Sequence, residues 1–315
     1  MGRRRKGEAV SGWICLDKPY DITSTHAVSR VRRIFNAQKA GHAGTLDPLA
    51  TGILPIALGE ATKTVPFLMD ADKAYRFTIA WGRTTATYDR EGETLAASDV
   101  RPTLAQVEAV LPRFVGEIEQ IPPAYSAIKV DGERAYDLAR AGEAVELKAR
   151  TVVIHSARVA DAADADHVTL EIECGKGTYV RALVRDLAEA LGACGHVSDL
   201  RRTRVGGFAE QSAVTLELLE EFGHKARQSE ALLPVETALD DIPALAVSPA
   251  DAARLQRGQA VLMRGRDAAV VHGLVQVASG GEFMAIAEVE RGEIVPKRVF
   301  NLAGITGRAP RRKVW

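Results

Sequence analysis

The apolar run at 13–16 is short, dense and halted by Asp17-Lys18-Pro19, which predicts a strand. The next stretch, TSTHAVSRVRRIF, sets Ala27, Val28, Val31, Ile34 and Phe35 on one stripe at helical spacing. Thr23 or Ser24 is its N-cap, and Arg30, Arg32 and Arg33 take the opposite face. Residues 36–52, crowded with Gly, His, Thr, Asp and Pro, predict a loop. Alternation returns at 73–81 as a strand. Thr103-Leu-Ala-Gln106 is a capping box that opens a helix to about residue 115. A short helix follows at 135–140, ended by Gly142, and then strands near 151–159 and 167–173. A strong helix covers about 179–191, capped by Thr178 and stopped by Gly192. Thr215 opens another, to about residue 222, with Gly223 as its stop.

From about Pro243 the texture changes. Ser248-Pro249 starts a short helix, and the remaining apolar runs are brief and β-like, at 260–263, 269–277, 283–289 and 294–300. Residues 243–308 therefore predict a small β-rich, barrel-like domain beside a larger α+β domain over 10–240. Residues 1–9 read as a disordered basic arm and 309–315 as a basic tail. A chain of 315 residues suits that division. With 46% hydrophobic and 26% charged residues it can build a core, which excludes global disorder. No stretch approaches about 18 uncharged apolar residues, so no membrane partner is expected. Cys15, Cys174 and Cys194 are odd in number and form no CxxC pair, as expected of buried thiols in a reduced, cytoplasmic protein.

Net charge is zero only in sum. Residues 1–50 hold nine Lys/Arg against four Asp/Glu, and residues 251–315 hold eleven against six, so the middle of the chain is acidic. Two basic ends point to a polyanionic partner; the plainer alternative is a pair of solvated tails.

Four segments are candidates for chemistry. In Gly41-His42-Ala43-Gly44-Thr45-Leu46-Asp47-Pro48-Leu49-Ala50-Thr51-Gly52, proline pushes Asp47 towards an extended conformation that can aim its carboxylate into a cleft. By spacing alone, Asp-Pro reads first as a turn initiator, and His42 as a hydrogen-bonded loop histidine. Cys174-Gly-Lys-Gly-Thr-Tyr-Val-Arg181 is not a P-loop, because Leu170 stands where its first glycine belongs. Arg181 falls in a first helical turn, where the macrodipole disfavours a cation by some tenths of a kcal/mol; a buried carboxylate partner would offset that cost, and the plainer alternative is an arginine snorkelling to solvent. Tyr75 and Phe77 share one face of the strand at 73–81, which by itself reads as core. Arg201, Arg202 and Arg204 read either as a solvated charged loop or as phosphate contacts. No histidine stands at ligand spacing to Cys, Asp or Glu, so no metal is expected.

Taken together, LDKPYDITS (16–24), AGHAGTLDPLATGILPIALGEATK (40–63), KAYRF (73–77), IPPAYSAIKVDGERAYDLAR (121–140), GKGTYVRALVRDLAEALG (175–192) and LRRTRVGGF (200–208) resemble the TruB family, the bacterial pseudouridine-55 synthases of tRNA. The match runs from about Gly12 to Thr215, and the GTLDPLATG block overturns the turn-initiator reading. The resemblance implies an isomerase that turns a uridine of the tRNA T-arm into pseudouridine, without cofactor or metal. It implies a pseudouridine-synthase fold, a mixed and largely antiparallel sheet flanked by helices, followed by a PUA-like RNA-binding module. Asp47 matches the family's nucleophile and Arg181 the arginine that pairs with it. Tyr75 matches the aromatic that stacks on the target base. His42, Tyr179 and Leu200 match substrate contacts, His42 filling the space beside the extruded base. A carboxylate suits the task, since it can attack carbon, leave again and balance positive charge on the sugar. Attack on C1′ and attack on C6 of uracil both remain open. The resemblance implies no obligate protein partner, and a monomer is expected. Two alternatives stand beside it: a tRNA-binding protein that folds RNA, and a synthase acting on another RNA. The acidic turn at 160–166 is expected to stay away from RNA.

Overall fold

The computed structural model describes residues 7–126, 129–130, 133–134, 147–224, 227–263, 271–302 and 305–306. The predicted helix at 135–140, residues 1–6 of the arm and the tail at 309–315 lie outside the described residues. The arm does not extend to Glu8, whose N–H donates to the Asn36 carbonyl at 2.7 Å and whose carbonyl accepts from Gln38 at 3.2 Å.

In chain order the strands are β1 (Val10–Lys18), β2 (Ala40–His42), β3 (Thr51–Leu58), β4 (Lys73–Trp81), β5 (Arg83–Thr85), β6 (Thr94–Ala97), β7 (Gly116–Gln120), β8 (Lys129–Val130), β9 (Glu133–Arg134), β10 (Arg150–Asp161), β11 (His167–Cys174), β12 (Gly195–Val205), β13 (Phe208–Ala209), β14 (Ala244–Ala246), β15 (Val261–Leu262), β16 (Gly273–Ser279), β17 (Glu282–Glu290), β18 (Glu293–Val299) and β19 (Ile305–Thr306). The α-helices are α1 (Ser24–Ile34), α2 (Val65–Asp70), α3 (Leu104–Val110), α4 (Val180–Ala190), α5 (Leu216–His224) and α6 (Pro249–Gln256). The chain divides into two compact units. One is Met1–Asp47, Ile53–Met69 and Gly206–Trp315; the other is Pro48–Gly52 and Asp70–Val205.

The second unit is built on strands in the order β12-β4-β11-β10-β7, paired antiparallel throughout. Strand β4 aligns Phe77 with Leu170 on one side and Leu200 on the other. Phe77, Ile79, Leu170, Ile172 and Val197 are buried along these strands, and α4 packs against β12 with Leu183, Val184 and Leu187 buried. Thr51 and Gly52 join this unit through parallel pairing with Arg201 and Arg202. Gly52 has φ +97°, and a Cβ there would stand 2.2 Å from the Arg202 carbonyl oxygen, so only glycine allows the strands to meet.

In the first unit β1 lies between β3 and β19, parallel to β19, and β2 pairs antiparallel with β3. Its core centres on Trp13, whose ring packs against Phe208 at 5.4 Å and whose Nε1 donates to the Val235 carbonyl. Strands β14-β16-β17-β18-β15 form a separate sheet, closed by α6 over a core of Leu255, Val275, Val277, Ala285 and Val289. The result is an α+β fold of mixed, largely antiparallel strands with a β-rich C-terminal part.

Three local expectations need correction. Strand β3 was not predicted, because residues 52–58 are buried without the alternation that marks a one-sided strand. The arginine-rich stretch at 200–204 is no loop but the heart of β12. Gly223 does not stop α5, which runs on to His224.

Candidate active site

Asp47 stands on the irregular link between β2 and β3, half-buried, with Leu46, Leu49 and Ala50 buried around it. Its backbone is held from one side by Ser24. The Ser24 hydroxyl donates to the Leu46 carbonyl at 2.9 Å and accepts from the Leu46 N–H at 2.9 Å. Ser24 is free to do this because Thr23 is the N-cap of α1, accepting from His26 N–H at 3.1 Å. Further back, the Ala43 N–H donates to the Pro55 carbonyl, so the turn is also tied to β3. His42 closes β2, opposite Ile56, with its Nδ1 buried.

The remaining predicted residues belong to the second unit. Tyr75 and Phe77 share a face of β4, as their spacing predicts, and Arg202 and Leu200 of β12 lie opposite them. Leu200 is buried and Tyr75 half-buried. Arg202 is only 1% exposed, so it is no phosphate contact from a solvated loop. It helps to lower the pKa of its neighbour Lys73, though burial of the ammonium is the larger cause. Arg204 pairs with Glu173 at 3.1 Å.

Thr178 does not cap α4; its hydroxyl donates to the Gly175 carbonyl. Tyr179 is the N-cap residue, and its backbone is gripped by the buried Gln120 side chain. That amide accepts from the Tyr179 N–H at 3.0 Å and donates to its carbonyl at 3.4 Å. Arg181 is buried in the first turn of α4. One guanidinium nitrogen reaches Asp89 Oδ2 at 3.3 Å and the Thr87 carbonyl at 3.2 Å, and the other donates to the Tyr125 carbonyl at 2.9 Å. Asp89 is thus a carboxylate of the kind that offsets the helix dipole. Its own loop is stiffened by Thr85, which donates to the Asp89 carbonyl, and by Thr87 and the Glu91 N–H, which both donate to Oδ1.

Sequence reasoning missed Ser24 as a clamp, Gln120 and Asp89. Asp89 had one signal, the run Thr85-Ala-Thr87-Tyr-Asp89, in which hydroxyls flank an acid. Cys15 and Cys174 are buried, as expected, and burial pushes both thiols up to about 11, whereas Cys194 is only half-buried. Among the described residues no three His, Cys, Asp or Glu side chains converge to hold a metal. Among the described residues, too, no helix is long and apolar enough to cross a membrane.

The family model for the TruB family pseudouridylate synthase N-terminal domain matches residues 32–180. Models for the tRNA pseudouridylate synthase B C-terminal domain and for the pseudouridine synthase II TruB C-terminal region match 181–240 and 243–300. The tRNA pseudouridine synthase B of Caulobacter vibrioides is 68% identical over 96% of this chain and 100% of that protein. That of Bradyrhizobium diazoefficiens is 60% identical over 96% and 89%. A chain in the crystal structure of a Cbf5-Nop10-Gar1 complex has a TM-score of 0.69 at 27% identity, covering 92% of this chain and 84% of that one.

Proposed function

The chain belongs to the TruB family of pseudouridylate synthases, and on that footing we propose that it isomerises uridine 55 in the T-loop of tRNA with Asp47 as nucleophile. It is an isomerase that acts on uridine in tRNA. The reaction breaks N1–C1′, turns the uracil, joins C5 to C1′, releases the C5 proton and places a proton on N1, either the same one or one exchanged with solvent. The atoms balance with no oxidant and no cofactor.

The observation that carries the assignment is the Ser24–Leu46 clamp. It holds the backbone next to a half-buried carboxylate before substrate arrives, the preorganisation that a nucleophile in a bond-exchanging reaction needs. Arg181 is likewise oriented in advance by Asp89 and two carbonyls. We propose that Arg181 keeps the Asp47 carboxylate ionised in the reacting complex, a coupling that a double-mutant cycle on kcat would read. Tyr75 stacks on the uracil and helps remove its C5 proton; His42, Tyr179 and Leu200 contact the target nucleotide. Taking a base out of a stacked loop costs a few kcal/mol, which RNA contacts of the β-rich part from residue 243 offset. The working compartment is the cytoplasm.

The test is Asp47→Asn, assayed by mapping pseudouridine in tRNA transcripts with uridine or cytidine at position 55. The variant should fold and bind tRNA yet lose turnover by orders of magnitude, because an amide is no nucleophile here. Activity within about tenfold of the unmodified chain, roughly 1.4 kcal/mol of barrier, would overturn the assignment. Modification persisting in the cytidine-55 transcript would overturn the choice of position.

A further inference from the structure

His196 lies on β12 and is 3% exposed, in register with Ala80 of β4. Its Nδ1 stands 3.1 Å from the carbonyl oxygen of Arg83, the first residue of β5. A carbonyl only accepts, so Nδ1 carries the proton and the ring donates. Burial, its largest influence, holds this histidine below the ordinary value of 6.5, and the Arg83 charge acts in the same direction. The ring is therefore neutral at pH 7. Its neighbour Val197 donates its N–H to the Tyr88 carbonyl at 3.0 Å and bridges to Asp89.

Two consecutive residues of β12 thus grip the stretch that leads to Asp89 at two points, His196 at Arg83 and Val197 at Tyr88. At the second point and just beyond it the chain is locally strained and tightly bonded. Tyr88 has φ +57°, and Thr85, Thr87 and the Glu91 N–H all donate to Asp89. Asp89 in turn reaches Arg181. The Val197 grip uses backbone atoms that any residue supplies. The His196 grip depends on one side-chain donor at one place.

We propose that His196 is a positioning residue for the isomerisation: its Nδ1–H ties β5 to β12 and so sets the place of Asp89, and through it the aim of Arg181. The proposal rests on the functional role given to Arg181 above. His196 itself touches no reacting atom.

The chemistry suggests a sharp comparison. Asparagine puts an N–H donor where histidine has Nδ1, glutamine puts its donor one bond further out, and leucine has none. His196→Asn should keep kcat within about threefold, because the donor to Arg83 survives. His196→Gln and His196→Leu should lose kcat by about tenfold or more, since small misplacements of a catalytic group are costly, with KM for tRNA within about threefold. Hydrogen exchange at the Ala86, Tyr88 and Glu91 amides should quicken in the glutamine and leucine variants and not in the asparagine variant. If His196→Leu fails to fold, the asparagine–glutamine comparison still decides. Equal activity in the asparagine and glutamine variants, or a loss confined to KM, overturns the proposal. If the unmodified chain forms no pseudouridine in tRNA, the functional reading fails, and the exchange measurement judges the clamp by itself.

Discussion

The Arg181–Asp89 pair is almost dry, with side-chain exposures of 7% and 3%. Two charges in such a place gain little net stability from each other, because both have lost their water. Removing one is another matter, since the cation left behind keeps its desolvation cost and sits against the positive end of α4. Asp89→Asn should therefore lower the unfolding free energy by about 3 kcal/mol, read by urea denaturation with an unchanged m-value. A loss below about 0.5 kcal/mol would mean that the Thr87 and Tyr125 carbonyls already satisfy the guanidinium. That a buried carboxylate would suit Arg181 was legible in its first-turn position, though a solvent-facing arginine fitted that position equally well. Which carboxylates serve it was not, because Asp89 lies 92 residues away and its loop is set by a left-handed Tyr88.

At the scale of elements, neighbouring hydroxyls at the start of α1 do different work. Thr23 caps the helix, and Ser24 clamps Leu46 beside Asp47. Thr23→Ala should cost about 1 kcal/mol of stability and leave kcat unchanged. Ser24→Ala should cost about 1–3 kcal/mol, since buried backbone groups of Leu46 lose their partner, and should also reduce kcat more than it raises KM. Thermal melts and steady-state kinetics on the two variants distinguish these outcomes; equal kinetic behaviour would remove Ser24 from the site. Strand β12 shows the limit of pattern at this scale. Its alternation is hidden because Arg202, a fully buried position, carries a charged residue.

At the scale of the whole molecule, the C-terminal β-rich part is joined to the segment after β3. The Lys63 ammonium donates to the Val299 carbonyl at 2.9 Å, the Asn301 N–H donates to Glu60 at 2.8 Å, and Ile305 pairs with Val10 of β1. Ending the chain at residue 242 should therefore lower Tm as well as weaken tRNA binding, while turnover at saturating tRNA stays detectable. A truncated protein that binds as tightly as the full chain would show that this part is no RNA clamp. In the full chain, log K for tRNA should fall linearly with log salt, by roughly 0.7–0.9 per phosphate neutralised. A flat response would refute a binding mode built on the basic ends.

Local pattern was enough for α1, β4, β10, β11, α4 and α6, because each carries a rhythm of 2 or 3.6 and a cap or breaker at its end. It was not enough for the segment holding Asp47, whose spacing alone reads as a turn initiator; only the resemblance of the whole GTLDPLATG block to a family pointed to a nucleophile there. Neither β3 nor the interior of β12 could be read that way, because burial on both faces removes alternation and a buried arginine mimics an exposed one. The partners of the site residues were likewise beyond it. Ser24 with Leu46, Gln120 with Tyr179 and Asp89 with Arg181 meet across gaps of 22, 59 and 92 residues. A hydrogen bond of that kind leaves no trace in local sequence, for its geometry exists only once the strands and helices that carry its two ends have packed.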